Sequence, residues 1–191
     1  LAALPSSGTL TSLIPETAGA TTGPQYVISG GQRHEILDAA SVAAAGLTLP
    51  VPAPVGIGAF GYLPWGAPIA SSGQVFTNRT TGNSGVIVEG KYFEIAPATA
   101  TEIDFKQWFP PSTGTLSSGG VSTIQSGTPV EPIVANSAGL GFVLTSTGRI
   151  SIDATTPLVA TPAVLPDALL SKIPLLTQTL KAPFLAKATS G

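Results

Sequence analysis

The sequence contains no cysteine and no methionine, and only 9% of its 191 residues are charged. The absence of cysteine excludes disulfide bonds, Cys-ligated zinc sites and a cysteine nucleophile. Ordinary globular proteins have about 25% charged residues, so much of this surface must be built from Ser, Thr, Gly, Ala and Asn. With eight Lys and Arg and a net charge of −2, the chain has no basic field for a phosphate backbone, and we expect no nucleic-acid partner. We also expect no metal and no other cofactor.

The lack of methionine, in a sequence rich in Thr, Ser, Ala and Pro, is typical of proteins exported by high-GC bacteria. The sequence begins at Leu1, and no basic segment followed by an apolar core is found there. We therefore expect a mature or excised product whose export signal has been removed, located outside the cell or in the cell envelope.

A membrane-spanning helix is not expected. Residues 39–78 contain no charged side chain, and an uncharged stretch of that length is long enough for a membrane-spanning helix. Prolines and glycines interrupt it repeatedly, and a lipid-exposed helix with so many breakers would leave backbone groups unpaired in hydrocarbon. A buried region of loops and strands is the better interpretation.

An eleven-residue pattern occurs three times, at residues 26–36, 85–95 and 142–152. Each copy has a mainly apolar run, turn residues and then alternating polar and apolar positions, which predicts a β-hairpin closed by a tight turn. A repeated supersecondary unit is typical of a scaffold or a binding array.

Each hairpin is followed by an Ala- and Thr-rich segment and then by an extended, proline-containing piece. Asp38 is a good N-cap and Gly46 a good C-terminal stop for the first segment, and Pro97 suits the first turn of the second. In the third, Asp153 precedes residues that favour only a short turn. The predicted fold class is α+β and β-rich, with three diverged units of hairpin, short helix and strand.

The spacing of the copies also predicts the domain organisation. The start of the chain is similar to the end of a unit, so we expect at least one more unit upstream. The predicted divisions are the tail of a preceding repeat with a linker (1–24), repeat 1 (25–70), a linker (71–84), repeat 2 (85–134), a linker (135–141) and repeat 3 (142–191).

His34 is the only histidine, so a histidine-based acid–base site would have to use it. It aligns with Phe93 and Ile150 in the other copies and shares a strand face with Ile36. A position filled by Phe and Ile is a packing position, and we predict this role for His34.

The other face of each hairpin carries the candidate ligand-binding residues. Arg33, Tyr92 and Arg149 occupy equivalent positions, and Glu35 and Glu94 lie two residues further along. Residues at i and i+2 share a face, and such groups suit stacking on sugars and hydrogen bonding to polar polymers. The alternative is a solvated strand face with weak Arg–Glu pairs.

Three aromatic residues are further candidates for carbohydrate stacking, namely Tyr62, Trp65 and Trp108. The alternative is that they fill small cores, where a few large side chains supply most of the burial. Carboxylate pairs such as Glu102 and Asp104 could serve glycoside hydrolysis, but each has an ordinary capping or strand explanation. We predict no catalytic residues, and therefore no enzyme.

The segment of residues 26–46 resembles the hairpin–helix repeats of exported actinobacterial cell-surface proteins and lysins. It also resembles, more distantly, the repeats in the extracytoplasmic part of the B component of type VII secretion membrane complexes. These resemblances imply a non-catalytic module with a role in cell-wall association.

The resulting hypothesis is a non-catalytic exported repeat module that binds or spaces components at the bacterial cell envelope. Its partner would be a cell-wall polymer or an envelope protein. The alternative is a structural or interaction part of a larger exported protein assembly, and a glycan-acting enzyme comes third.

Overall fold

The computed structural model describes residues 10–11, 24–48, 60–158 and 161–182 of the chain. Within these residues the chain forms three β-sheets joined by short helices. This confirms the prediction of a strand-rich α+β fold. We number the units 1, 2 and 3 after their sheets.

Unit 1 contains β1 (Leu10–Thr11), β2 (Gln25–Ser29), β3 (Gln32–Ile36), α1 (Ala39–Ala44) and β4 (Trp65–Ile69). Its strand order is β1-β2-β3-β4. β2 and β3 form an antiparallel hairpin, β1 pairs antiparallel with β2, and β4 pairs parallel with β3.

Unit 2 contains β5 (Val75–Asn78), β6 (Ser84–Val88), β7 (Lys91–Glu94), α2 (Pro97–Glu102), a 3₁₀ turn (Phe105–Gln107), β8 (Pro111–Leu116), α3 (Ser118–Val121) and β9 (Gln125–Ser126). Its strand order is β8-β5-β6-β7-β9. The segment from α2 to the 3₁₀ turn is therefore a crossover that leads from one side of the hairpin to β8 on the far side of β5.

Unit 3 contains β10 (Ile133–Ala135), β11 (Gly141–Thr145), β12 (Gly148–Ile152), β13 (Ala163–Val164), α4 (Asp167–Leu170) and β14 (Leu175–Leu180). Its strand order, β13-β10-β11-β12-β14, repeats that of unit 2 strand for strand. β13 pairs parallel with β10 and β14 pairs parallel with β12, as β8 and β9 do with β5 and β7.

The hairpins and helix ends follow the sequence signals. Gly30 and Gly31 have φ values of 57° and 74° and form the two-residue turn between the paired Ser29 and Gln32, which only glycine adopts easily. Asp38 caps α1 by accepting from the Ser41 amide at 2.8 Å, and Gly46 follows the helix at φ 65°.

Each sheet begins one strand earlier than the predicted repeat. The predicted linker 71–84 contains β5, and β10 crosses the predicted boundary at 134–135. β1, predicted as part of a preceding repeat, pairs with β2 as β5 pairs with β6. These first strands are short and lie among Gly, Ser and Asn residues, so pairing with the hairpin, more than local pattern, makes them strands.

Side chains alternate along a strand, so every hairpin presents two faces. We call one the valine face, after the aligned Val27, Val86 and Val143, and the other the clamp face, after Arg33, Tyr92 and Arg149. The largest buried cluster joins the valine face of sheet 2, its crossover and the clamp face of sheet 3. A second cluster joins Leu37 of unit 1 to the clamp face of sheet 2.

Candidate functional site

The arginines of the clamp face are bound within their own units. The Arg33 guanidinium carbon lies 3.9 Å from the Trp65 ring centroid and 4.8 Å from that of Phe60, and its Nη1 donates to the Phe60 carbonyl at 3.2 Å. Arg149 lies 5.1 Å from the Phe142 ring and its Nη1 donates to the Leu170 carbonyl. Phe60 and Leu170 hold equivalent places in the turn before the closing strand, so the arginine fastens that turn to the hairpin.

Replacing Arg149 with Met should lower the free energy of unfolding by about 1–3 kcal/mol, because it removes a charge-assisted hydrogen bond and the cation–ring contact. Urea unfolding measures this. Lys172→Met removes an exposed cation from the same unit and should change stability by less than about 0.5 kcal/mol. Equal effects of the two substitutions would contradict the structural role of Arg149.

Tyr92 occupies the same position in unit 2 but is buried, at 5% exposure. Among the described residues, its hydroxyl has no hydrogen-bond partner. Burial raises the pKa of Tyr92 to about 12, and the Glu94 carboxylate adds to the rise. Arg33 and Arg149 contact rings and carbonyls of their own units and Tyr92 is buried, so these three side chains do not form a common exposed row.

The Tyr92 phenol should make stability depend on pH. An unfolded tyrosine ionises near pH 10, below the folded value of about 12. The stabilisation from the neutral phenol is therefore complete below about pH 10 and is lost as the pH rises towards 12. Tyr92→Phe should be at least as stable as the parent at pH 8, and its advantage should grow between pH 10 and 12 in urea unfolding. An advantage that is constant with pH would contradict this.

His34 has the packing role that the repeat predicts. It pairs with Val27, and its Nδ1 lies 2.8 Å from the Ala67 carbonyl oxygen. Its ring covers Gly66 so closely that a Cβ there would overlap it, and the Phe93 ring covers Gly127 in the same way. In unit 3, the smaller Ile150 takes the position of His34 and Phe93, and the larger Leu176 takes the position of the glycine. The side-chain volume lost at one position is therefore offset at the other.

Glu35, a residue of the predicted site, is fully buried between units 1 and 2, with 0% exposure. Its Oε1 forms an ion pair with Arg79 of unit 2. Its Oε2 accepts from the Ser117 amide at 2.9 Å and from the Ser117 hydroxyl at 2.8 Å. A carboxylate with these partners is satisfied, and the structure places Glu35 inside the junction between the two units.

Three glycines of unit 2 make room for unit 1 at this junction. A Cβ on Gly120 would come 2.5 Å from Glu35 Oε2, one on Gly119 would overlap the Trp65 ring, and one on Gly114 would overlap the Leu37 carbonyl oxygen. Close approach between the two units requires these glycines, because any side chain at these positions would overlap residues of unit 1.

Further hydrogen bonds close the same junction. Thr123 Oγ1 donates to the Gly66 carbonyl at 3.2 Å, and Ser112 Oγ donates to Asp38 Oδ2 at 2.6 Å. Burial of Asp38 opposes its ionisation, but the hydrogen bonds from Ser112 and Ser41 outweigh this and lower the pKa of the carboxyl group. Asp38 therefore both caps α1 and binds unit 2.

Glu94, the equivalent of Glu35, does not bridge units in the same way. Its Oε1 accepts from the Asn83 side-chain amide at 2.8 Å, within unit 2. The contact between units 2 and 3 is mainly apolar, with Gln107 Nε2 donating to the Ser146 carbonyl at 2.8 Å. The two junctions are thus built differently.

The aromatic candidates divide between core and surface. Trp65 packs at 6.0 Å from the Tyr26 ring, and Trp108 stands edge-on to Phe105 at 5.7 Å. Both are half-buried. Tyr62 is 91% exposed and is the one of the three whose ring is free to stack on a ligand.

Sequence reasoning missed Arg79, Ser117 and the junction glycines. One signal was present, because Arg79 is the first charged residue after a stretch of forty without charge, 39–78. Among the described residues, no group of three or more His, Asp or Glu side chains is placed to hold a metal ion. No helix within the described ranges is long and apolar enough to cross a membrane.

No protein-family model matches the chain, and the comparison with curated proteins gave no match. The chain has weak structural similarity to a chain of the periplasmic assembly from the ESX-5 inner membrane complex, with 12% identity, a TM-score of 0.25 and coverage of 97% of this chain and 71% of that chain. It is also similar to a chain of an intact ESX-5 inner membrane complex, with 11% identity, a TM-score of 0.24 and coverage of 95% and 54%. Scores of this size do not establish a shared fold, so only the geometry of the chain itself bears on its function.

Proposed function

We propose that the chain is a non-catalytic spacer module of the bacterial cell envelope. Its units are locked to one another, so that components attached at different units are held at a fixed separation. The observation that carries this proposal is the full burial of the Glu35 carboxylate between units 1 and 2. A flexible string of independent repeats would leave such a group in water.

The positions of the predicted binding residues support a spacer function more than a ligand-binding function. Arg33 and Arg149 direct their guanidinium groups at carbonyls of their own units, and Tyr92 is buried. These polar and aromatic groups fix the shape of each unit, and a glycan would have to displace them from their partners. In the spacer, the partners are envelope proteins of a larger exported assembly.

Cell-wall association is the second candidate function, and Tyr62 is the observation in its favour. A tyrosine ring that is 91% exposed offers an apolar surface that sugar rings can stack on. The neighbouring Arg33 is already engaged with Phe60 and Trp65, so this site would depend on Tyr62 alone.

Co-sedimentation with insoluble cell wall separates the two functions. The purified chain should remain in the supernatant after centrifugation with wall fragments, and Tyr62→Ala should behave identically. Sedimentation of the parent that is abolished in Tyr62→Ala would overturn the spacer proposal in favour of a wall-binding module. Leu47→Ala removes another exposed apolar side chain of unit 1. It is the matched control for nonspecific adsorption through exposed apolar groups.

A further inference from the structure

The closing strand of unit 3, β14, is an open edge of its sheet. It pairs with β12 on one side, and within the described residues no strand lies on its other side. Its residues are exposed except for Leu176 and Leu180, which are half-buried. The edge of a sheet carries unpaired backbone N–H and C=O groups, to which another strand can bind. β14 therefore presents a binding site for an extended segment.

The other sheet edges in the described part of the chain are short, interrupted or covered. β1, β9 and β13 have two residues each. β4 contains Pro68, and Thr123 of unit 2 donates to its Gly66 carbonyl. β8 lies against unit 1 at Gly114, where a Cβ would overlap the Leu37 carbonyl oxygen. Proteins commonly prevent the association of strand edges in these ways, but β14 is six residues long and contains no proline and no charged residue.

The sequence of β14 suits pairing with a second copy of itself. From Leu176 to Leu180 it reads Leu-Thr-Gln-Thr-Leu, which is the same in both directions. In an antiparallel pair centred on Gln178, Leu176 lies opposite Leu180 of the second copy. Thr177 lies opposite Thr179 in the same way, and such matched cross-strand pairs stabilise a sheet. Recentring the pair on Thr177 or Thr179 would place a leucine opposite Gln178, so one register is favoured.

The charges near β14 do not oppose this pairing. The closest is Lys181, which lies opposite Leu175 of the second copy in this register, where its aliphatic stem can cover the leucine. The two Lys181 residues are then six residues apart along the strands, or about 20 Å. This separation exceeds the screening length of about 10 Å at ordinary ionic strength, so the two cations repel each other only weakly.

We propose that two copies of the chain associate through β14, antiparallel and centred on Gln178, so that two five-stranded sheets join into one continuous sheet. A contact of one short strand pair is smaller than a standard protein interface, so the dissociation constant should lie between about 10 µM and 1 mM. This inference does not rest on the spacer function, because the pairing involves unit 3 alone and needs no rigid junction between units.

Single introduced cysteines test the register, since the chain has none of its own. Gln178→Cys places two thiols on directly opposite residues, whose Cα atoms are about 4.5–5.5 Å apart, a separation that a disulfide can span. Mild oxidation should therefore link two copies of this variant. Thr177→Cys alone should link at least about tenfold more slowly, because its thiols are on diagonal residues about 7–8 Å apart. Mixing it with Thr179→Cys should restore rapid linking between the two different variants.

Added charges test the same contact without a covalent bond. Sedimentation equilibrium of the parent between about 10 µM and 1 mM should show a monomer–dimer equilibrium. The double variant Thr177→Lys, Thr179→Lys places like charges directly opposite each other and should weaken the dimer by about tenfold or more. Ser146→Lys, Thr147→Lys is the matched control, because it adds the same charge at two exposed positions in the β11–β12 turn. That variant should dimerise like the parent.

Four results would overturn the proposal. The first three are a parent that is monomeric at 1 mM, equal linking rates for Gln178→Cys and Thr177→Cys alone, and equal weakening by the two lysine variants. The fourth comes from hydrogen exchange, in which the β14 amides that do not bind β12 should become protected as the protein concentration rises. Protection that is the same at every concentration would show that the chain itself covers β14.

Discussion

Replacing Arg79 with Ala should lower the free energy of unfolding by about 3–5 kcal/mol, the usual cost of removing one member of a buried ion pair. Glu35 has 0% exposure and would lose the only opposite charge that is shown beside it. The Ser117 amide and hydroxyl would remain as its hydrogen-bond partners, but they carry no compensating charge. Urea unfolding of the purified chain measures the loss.

Two further variants make this prediction specific to the junction. Adding Glu35→Gln to Arg79→Ala should restore part of the stability, because a neutral amide can still accept from Ser117 and costs less to bury. Lys181→Ala removes the cation of a surface pair, in which Nζ lies 3.9 Å from Asp153 Oδ2, and should cost less than about 1 kcal/mol. If Arg79→Ala cost no more than Lys181→Ala, Glu35 and Arg79 would not be the lock between the units.

Gly114→Ala should be the second severe change, with a cost of about 3 kcal/mol or more. The new Cβ would overlap the Leu37 carbonyl oxygen, which belongs to the backbone and cannot rotate away, so β8 would have to move back from unit 1. Overpacking in a well-packed interior ordinarily costs about 1–3 kcal/mol, and displacement of a strand adds to this. Thermal and urea unfolding measure the effect.

Gly61→Ala is the matched control for that substitution. A Cβ on Gly61 would meet no atom of the described residues within 4 Å, and the change should alter stability by less than about 0.5 kcal/mol. A Gly114→Ala protein as stable as Gly61→Ala would mean that units 1 and 2 do not approach each other as closely as described.

Much of the local structure could be predicted from the sequence, because its signals are local. The Gly30-Gly31 turn, the Asp38 cap and the alternating pattern of β3 each depend on residues within a few positions of one another. The packing role of His34 followed from comparison with Phe93 and Ile150, which is information that the internal repeat supplies.

The candidate site could not be predicted in the same way, because its partners are far apart in sequence. Glu35 meets Arg79 and Ser117, which are 44 and 82 positions away. Alternation correctly put Glu35 and Arg33 on one face, but it could not show that another unit covers the end of that face. A charged strand residue is usually solvated, and only tertiary packing makes Glu35 an exception.

A distance measurement across both junctions shows whether the three units are locked into one rigid body. Because the chain has no cysteine, Ala43→Cys in α1 and Ala168→Cys in α4 introduce two unique labelling sites, both exposed. Double electron–electron resonance between nitroxides at these sites should give one narrow distance distribution in the parent and a broader one when Arg79→Ala is added. A broad or multi-peaked distribution in the parent itself would contradict a rigid body, because it would mean that the units are flexibly tethered.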